Sequence, residues 1–415
     1  MVDVSDPDEQ SSATSTATRP PEHPALLAYR ARTGRAMRIY TAVLVGVVLL
    51  AFVAVKLAYA HGELNKVSAS TAPAPAPVAE QSTGQALTLA WHSTDRPAGG
   101  NPYADGVVVT FQPHTVSGRD AVTGAVRWHY TRSDETICSV LQQDSSTIAI
   151  YRRNGNCDEV TGFVTATGVA KWYRTLMDDG TTAAASTSNV VLTVADHSVH
   201  DFDNAGGLDR WDWDAPDGCT VGRALAGTLG VLISLTCGAT HQLVLHDLFK
   251  DKDGIKWTIS TAAAMVPVAA SAFVGALDPV SGALHSYTAD KGADSVTGTL
   301  PGTAAAAAAL PRAASTVDGL DPTGQTAEYL WLGKLFALSR TGKVSWSAAA
   351  SSPPWLVGNA FVAVSDGTDQ VALHRMTGGA VQLTSTLTPA FAADQRPYPV
   401  GGGLLMAGAQ VSLYR

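Results

Sequence analysis

Histidine and carboxylate side chains are densest in one short segment, where a metal site or an acid–base pair would be sought first. His197 and His200 lie among Asp196, Asp201 and Asp203. The segment has the pattern of a strand followed by a turn, and residues three apart on a strand face opposite sides. The two imidazoles are therefore poorly placed to share one metal ion. We interpret the segment as a polar strand and turn, with metal binding as the alternative.

A second acidic cluster contains Asp247, Asp251 and Asp253, interleaved with lysines. It lacks the glycine and the terminal glutamate of a calcium loop, so a solvated hairpin is the better interpretation. The sequence has no Gly-x-Ser-x-Gly elbow, no glycine-rich phosphate loop followed by lysine, and no His-Glu-x-x-His. We therefore predict no catalytic residue, no metal site and no cofactor, and we expect that the protein is not an enzyme.

The four cysteines offer the clearest covalent chemistry. Cys138 and Cys157 follow Trp128, and Cys219 and Cys237 follow another tryptophan at nearly the same two distances. Each pair would join the start of one strand to the end of the next, and these ends are neighbours in an antiparallel hairpin. We predict disulfides Cys138–Cys157 and Cys219–Cys237, which an oxidising compartment permits. Four reduced thiols are the alternative; metal binding is disfavoured because Cys-x-x-Cys spacing is missing.

The elements that must position these residues repeat along the chain. The repeated sequence phrase, or motif, consists of an aspartate, a glycine four residues later and an aromatic residue four residues after the glycine. Complete or partial copies are Asp120-Gly124-Trp128, Gly168-Trp172, Asp203-Gly207-Trp211, Asp278-Gly282 with Tyr287, and Gly342-Trp346. A strand ends at the aspartate, the glycine turns the chain, and the next strand presents a ring to a neighbour. A period of roughly 40 residues is typical of propellers and other arrays.

This phrase resembles the repeat of pyrroloquinoline-quinone-type (PQQ-like) β-propellers, and the resemblance covers residues 86–415. It implies a ring of four-stranded blades, with each tryptophan docking between adjacent blades. The enzymes of that family are quinoprotein dehydrogenases with an adjacent Cys-Cys disulfide and a calcium ligand set. This sequence has no adjacent cysteine pair and no matching ligand set, so no functional residue is carried over. The same repeat occurs in assembly scaffolds and sensor domains.

Counting the aromatic residues of the outer strands gives the expected number of blades. The predicted blade-docking residues are Trp91, Trp128, Trp172, Trp211, Trp257, Tyr287 and Trp346, and Leu383 marks a degenerate unit. The fold class is therefore all-β, an eight-bladed propeller over 86–415. Trp91 precedes the first full unit and the chain ends mid-unit, so the two ends should complete one blade. Seven blades plus an insertion, which would hold the alanine run at 303–311, is the second choice.

An apolar segment at Ile39–Val55 predicts a transmembrane helix over 37–60, about the length that a bilayer requires. Four arginines precede it closely, so the positive-inside rule places the N-terminus in the cytoplasm. Residues 1–36 would then be a disordered cytoplasmic tail and 61–85 a Pro/Ala-rich linker that lifts the propeller off the membrane. A signal peptide cleaved after Ala60 is the alternative.

These inferences lead to a functional hypothesis. We expect a single-pass cell-membrane protein whose extracytoplasmic propeller binds, without catalysis, a transporter, a cell-wall synthesis protein or an envelope lipid. The Ala- and Val-rich composition resembles that of actinobacterial proteins, some of whose tethered propellers support mycolate glycolipid transport. A formal net charge of −8 opposes nucleic-acid binding. The alternatives are an extracytoplasmic ligand sensor and, less favoured, a quinone-dependent dehydrogenase.

Overall fold

The computed structural model describes residues 24–61, 66–76, 78, 83–176, 180–187, 190–250, 254–300, 302–318, 328–358, 360–392 and 395–415. They fall into two compact units, Met1–Asn65 and Lys66–Arg415. The described part of the first unit is one helix, α1 (Pro24–His61). It begins before the predicted residue 37, because Ala, Leu and Arg, which are strong helix formers, make up nine of residues 25–36. The part of the predicted disordered tail at 24–36 is therefore helical. Within the described residues, no helix combines the length and the apolarity needed to cross a bilayer.

The second unit is built almost entirely of short strands. Its first half contains β1 (Val67–Ser70), β2 (Ala86–Ser93), β3 (Arg96–Pro97), β4 (Gly99–Gly100), β5 (Tyr103–Ala104), β6 (Val107–Gln112), β7 (Thr115–Asp120), β8 (Val126–Arg132), β9 (Thr136–Gln143), β10 (Ser146–Arg153), β11 (Asn156–Val164), β12 (Ala170–Thr175), β13 (Ala183–Ser186), β14 (Val190–Val194), β15 (Ser198–Asp203), β16 (Asp209–Asp214), β17 (Cys219–Gly227), β18 (Gly230–Cys237) and β19 (Thr240–His246).

The second half contains β20 (Ile255–Thr261), β21 (Val266–Ala270), β22 (Val274–Leu277), β23 (Ala283–Tyr287), β24 (Asp294–Thr299), the short helix α2 (Ala304–Ala308), β25 (Ala313–Ser315), β26 (Val317–Asp318), β27 (Glu328–Trp331), β28 (Lys334–Leu338), β29 (Val344–Ala349), β30 (Trp355–Val357), β31 (Phe361–Asp366), β32 (Gln370–Arg375), β33 (Val381–Thr388), β34 (Arg396–Val400), β35 (Gly403–Ala407) and β36 (Val411–Tyr414).

Hydrogen bonding arranges these strands as consecutive sheets of mainly antiparallel strands. In chain order the first sheet is β1-β8-β7-β6-β3 with β5 beside β6, and the second is β12-β11-β10-β9-β4. The third is β13–β16, the fourth β20-β19-β18-β17-β25, the fifth β21–β24 and the sixth β26–β29. The seventh sheet is eight-stranded, in the order β30-β31-β32-β33-β2-β36-β35-β34.

The two ends of the repeat region meet in the seventh sheet. β2 pairs antiparallel with β36, the last strand, over Leu89–Ser93, and parallel with β33 over Ala86–Thr88. The pairing of β2 with the last strand, which the sequence predicted, is therefore confirmed. β2 is the fourth strand of one half, with β34–β36, and it also pairs with β33 of the other half (β30–β33), so this sheet has the strands of two blades. The number of blades stays a prediction.

The apolar core lies between neighbouring sheets. Short strands with continuous apolar runs are buried on both faces, as in β14 (VVLTV), whose five residues are all buried. One cluster joins Val107 and Trp128 of the first sheet to Ala149 and Phe163 of the second. Each cluster of this kind draws on two sheets, so that the sheets hold each other in place through their faces.

The segment predicted as a free linker is instead partly built into the fold. β1 pairs along the outer edge of β8, from Val67 opposite Arg132 to Ser70 opposite His129. The backbone N–H of Ala72 then donates to the carbonyl of Thr167 in the second sheet at 3.1 Å. The prediction of an extended spacer over 61–85 is therefore wrong for 66–76. The physical reason is that the edge of β8 offers unpaired backbone groups, which this segment satisfies.

Candidate functional site

The structure places the predicted aromatic residues at the contacts between sheets, as Trp128 illustrates. Its ring is fully buried and lies over Gly168 of the next sheet. A β-carbon on Gly168 would come within 2.5 Å of the indole, so only glycine fits beneath the ring. The φ of this residue is +72°, a backbone conformation that also favours glycine. The indole Nε1 donates to the carbonyl of Thr165 at 2.8 Å. The ring therefore joins the first sheet to the second by packing and by one hydrogen bond.

Four other predicted tryptophans make the corresponding contact with a turn glycine, and a fifth reaches the next sheet differently. Trp91 lies over Gly124, Trp172 over Gly207, Trp257 over Gly292 and Trp346 over Gly379. Trp211 instead stacks against His246, with 4.1 Å between ring centroids, and its Nε1 donates to the carbonyl of Leu248 at 3.4 Å. These contacts run from each of five sheets to the next, and from the seventh sheet back to the first.

Tyr287 departs from this arrangement. It packs against Trp257, with 5.9 Å between ring centroids, and does not reach the turn of the sixth sheet. The turn at Gly282 joins the second and third strands of its sheet, whereas the turn at Gly292 joins the third and fourth. The sequence interpretation assigned the repeat to the wrong hairpin. The turn glycine of the sixth sheet, Gly342, is covered by Phe273 and Thr297.

Both disulfides are present with the predicted pairing. Cys219 and Cys237 stand directly opposite each other on β17 and β18. The bond from Cys138 on β9 to Cys157 on β11 differs from the expected hairpin, because β10 lies between those strands. A register shift in the pairing of β9 with β10 falls at Cys138, and its Cα lies 6.1 Å from that of Cys157.

The Cys138–Cys157 disulfide leads to a test of stability. Replacing both cysteines by serine should lower the free energy of unfolding by about 3 kcal/mol, the loss expected for a closed loop of this size. Denaturant unfolding of the oxidised protein and of the double variant would measure it. A reductant should destabilise the wild type by breaking both disulfides. It should destabilise the double variant less, because only Cys219–Cys237 remains to be reduced. Equal midpoints for wild type and variant would contradict the expectation.

The histidine-rich segment does not assemble a metal site. His197 uses Nδ1 in a 3.0 Å hydrogen bond with the carbonyl of Cys219, and Asp201 is fully buried. Among the residues that the structure describes, no group of three His, Cys, Asp or Glu side chains is placed to hold a metal ion. Asp251 and Asp253 of the second acidic cluster lie outside the described residues.

The candidate binding site is a cavity of about 550 Å³ that the first strands of several sheets surround. The described part of its wall is made of small, apolar and uncharged polar residues, with Arg396 as its one charged member. The lining residues are Gly99, Gly100, Leu141, Gln143, Ala184, Ala185, Ser186, Thr187, Gly227, Thr228, Leu248, Ser271, Pro311, Ala313, Ala314, Ser315, Thr316, Trp355, Leu356 and Arg396. The docking tryptophans lie on β2, β8, β12, β16, β20 and β29, and none of them is among the described lining residues. The wall is therefore suited to contact and hydrogen bonding.

Trp355 provides an aromatic surface in this cavity, and Arg396 provides a positive charge. The Trp355 ring packs against Tyr398 at 4.8 Å between centroids, and the Tyr398 hydroxyl donates to the carbonyl of Gly100 at 2.9 Å. These contacts fix the aromatic wall. Sequence reasoning missed both lining residues. The spacing gave no signal for them, because Trp355 is one of five tryptophans, out of nine, that do not follow a glycine by four residues.

The segment between the fifth and sixth sheets forms another part of the wall. After α2, β25 adds to the fourth sheet by parallel pairing with β17, from Ala313 opposite Ala224 to Ser315 opposite Ala226. Arg312 donates to the carboxylate of Asp196 at 2.7 Å and to the carbonyl of Val221 at 2.6 Å. This insertion, expected only under the seven-blade alternative, is thus tied to the third and fourth sheets.

Comparisons with known proteins support the fold but identify no family. No family model matches the sequence, nor does any curated protein. The computationally designed protein Ika8 is 12% identical with a TM-score of 0.51, covering 80% of this chain and 99% of its own. Sqt1 from Saccharomyces cerevisiae is 10% identical with a TM-score of 0.51, covering 80% and 95%. The dihydro-heme d1 dehydrogenase NirN is 10% identical with a TM-score of 0.50, covering 75% and 70%. With the sheet order and the docking aromatics, these likenesses support an all-β, propeller-like fold.

Proposed function

We propose that this chain is a non-catalytic scaffold of the cell envelope, whose propeller of eight blades binds a partner protein outside the cytoplasm. The observation that carries the proposal is the composition of the central cavity wall. The described lining side chains offer apolar surface, hydroxyl groups, one amide and one cation, and none of them is a carboxylate, imidazole or thiol that could exchange a proton or attack a substrate. Such a wall is suited to holding a partner segment or ligand.

The proposed compartment and tether rest on two further observations. Two disulfides are typical of proteins that fold in an oxidising compartment. In α1, large apolar side chains are exposed on all sides, from Tyr40 (75%) through Leu50 (71%) to Val55 (66%). A helix that is apolar all round needs an apolar environment. We propose that α1 holds the propeller at a membrane, beside a transporter or a cell-wall synthesis protein.

Purification from the native membrane would test this function. The full chain, purified in mild detergent after brief crosslinking, should carry one envelope protein in fixed stoichiometry. A parallel assay of dye reduction with added pyrroloquinoline quinone should give no turnover above the background. A chain that co-purifies with no protein, or that reduces the dye, would refute the scaffold proposal. A co-purified signalling protein would favour the sensor alternative.

A further inference from the structure

One junction between sheets lacks the tryptophan that fills the others. At the junction of the fifth and sixth sheets, Thr297 of the outer strand β24 occupies the place of the indole. Its Oγ1 lies 3.2 Å from the carbonyl oxygen of Gly342, to which it donates. Phe273 covers the rest of that glycine, reaching within 2.9 Å of the place where a β-carbon would stand. A threonine is much smaller than an indole, so the junction is left incompletely filled.

The incomplete packing leaves an open groove of about 570 Å³. Its apolar wall includes Phe273, Tyr287 and Val296, and the Val296 side chain is 63% exposed. The Val296 side chain is therefore accessible to a group that enters the groove. The shape and lining of the groove therefore suit an aromatic ring supplied from outside the chain.

The charges at the groove are of one sign, although the chain as a whole is acidic. Arg340 and Lys343 lie in the turn that forms one side of the groove, and both are exposed. Neither makes an ion pair within the described part of the chain. None of the described lining residues is a carboxylate; the Asp294 carboxylate lies outside the lining, 3.0 Å from Nδ1 of His285. A segment that carries acidic residues is thus complementary to this groove.

We propose that this groove, formed by Phe273, Tyr287, Val296, Thr297, Arg340 and Lys343, is the docking site for an acidic protein segment with an exposed aromatic side chain. The aromatic ring takes the place that the repeat gives to an indole, and the carboxylates pair with Arg340 and Lys343. This inference rests on the proposed scaffold function and adds a second contact site for the partner, separate from the cavity lined by Trp355 and Arg396. Aromatic anchors flanked by charge pairs are a common way for a short segment to bind with specificity.

A designed peptide provides the test. The probe is an amidated pentapeptide with fluorescein on its N-terminal amine and one tryptophan between two pairs of aspartates, and anisotropy measures its binding to the full-length chain. We expect saturable binding that weakens at least tenfold in the double variant Arg340→Glu, Lys343→Glu. Thr297→Trp should weaken binding to the same extent, because the chain's own indole then fills the groove. Thermal melts would show that both variants are folded.

Matched controls separate the groove from general electrostatics. The double variant Lys171→Glu, Lys334→Glu changes the net charge equally on exposed residues elsewhere and should alter affinity less than twofold. A peptide with lysines in place of the aspartates, or alanine in place of the tryptophan, should not bind. Equal affinity for the wild type and the Thr297→Trp variant would overturn the proposal. So would binding to phosphatidylglycerol vesicles that depends on Arg340 and Lys343 while the peptide fails to bind.

The two proposals fail in different ways. If the native partner co-purifies as well with the Arg340→Glu, Lys343→Glu variant as with the wild type, the groove is not its docking site and the scaffold function stands. If neither chain carries a partner, the scaffold function itself is refuted.

Discussion

Replacing Trp128 by alanine will lower the free energy of unfolding by about 3–5 kcal/mol, the loss typical of a buried tryptophan. The ring is fully buried, stacks on Phe163 with 6.2 Å between centroids, and lies over the turn at Gly168. Its removal leaves a cavity between two sheets and also leaves the carbonyl of Thr165 without its indole donor. Urea or guanidinium unfolding, followed by circular dichroism, would measure the loss.

A control on the same strand makes this result specific to docking. Val126 belongs to β8 as well, but its side chain is 50% exposed. Val126→Ala should therefore change the free energy of unfolding by less than about 0.5 kcal/mol, as surface substitutions usually do. A small loss for Trp128→Ala, comparable to that for Val126→Ala, would show that the aromatic contacts do not hold the sheets together.

Replacing Asp201 by asparagine will make the protein more stable at pH 8.5 and will flatten the dependence of its stability on pH. Burial raises the pKa of the Asp201 carboxyl from 3.8 to about 8, with Arg210 opposing and Asp203 adding to the shift. Both carboxyl oxygens are buried, with no hydrogen-bond partner among the described residues. The folded protein therefore holds a proton at this residue that the unfolded chain releases.

The sign of the effect follows from proton linkage. Between pH 4 and pH 8 the folded state binds more protons than the unfolded state, so stability falls as the pH rises. One titrating group contributes at most about 1.4 kcal/mol per pH unit. Asparagine does not titrate, so the variant should lack this decline. Thermal melts of both proteins from pH 4 to pH 9 would measure it; parallel curves would show that Asp201 is already ionised in the folded state.

The sequence was informative where one spacing recurred. Trp128, Trp172 and Trp346 each follow a turn glycine by four residues, and each lies over the turn of the next sheet. The pairing of the cysteines could be predicted because each pair follows a docking tryptophan at similar distances. A spacing that recurs in this way indicates a contact that the repeats have in common, and the position of that contact can therefore be predicted from the sequence.

Structural features that occur only once in the chain could not be predicted from a recurring spacing. Asp278 and Gly282 match the repeat phrase, but the hairpin that they close is one strand too early, so Tyr287 was assigned a role that Phe273 and Thr297 fill. The pairing of β1 with β8 depends on an unpaired strand edge that only the three-dimensional arrangement reveals. Trp355 and Arg396 are far from the other lining residues in sequence, and folding alone brings them to one cavity.

Crosslinking mass spectrometry on intact cells tests the central claim, that this propeller is a binding scaffold of the envelope. An amine-reactive crosslinker that does not enter the cytoplasm should join lysines of the second unit, Lys343 among them, to one recurrent envelope protein. The same experiment on the Trp128→Ala variant should lose those crosslinks, because the scaffold is destabilised. Crosslinks that stay within this chain, or that scatter over many unrelated proteins, would contradict the account.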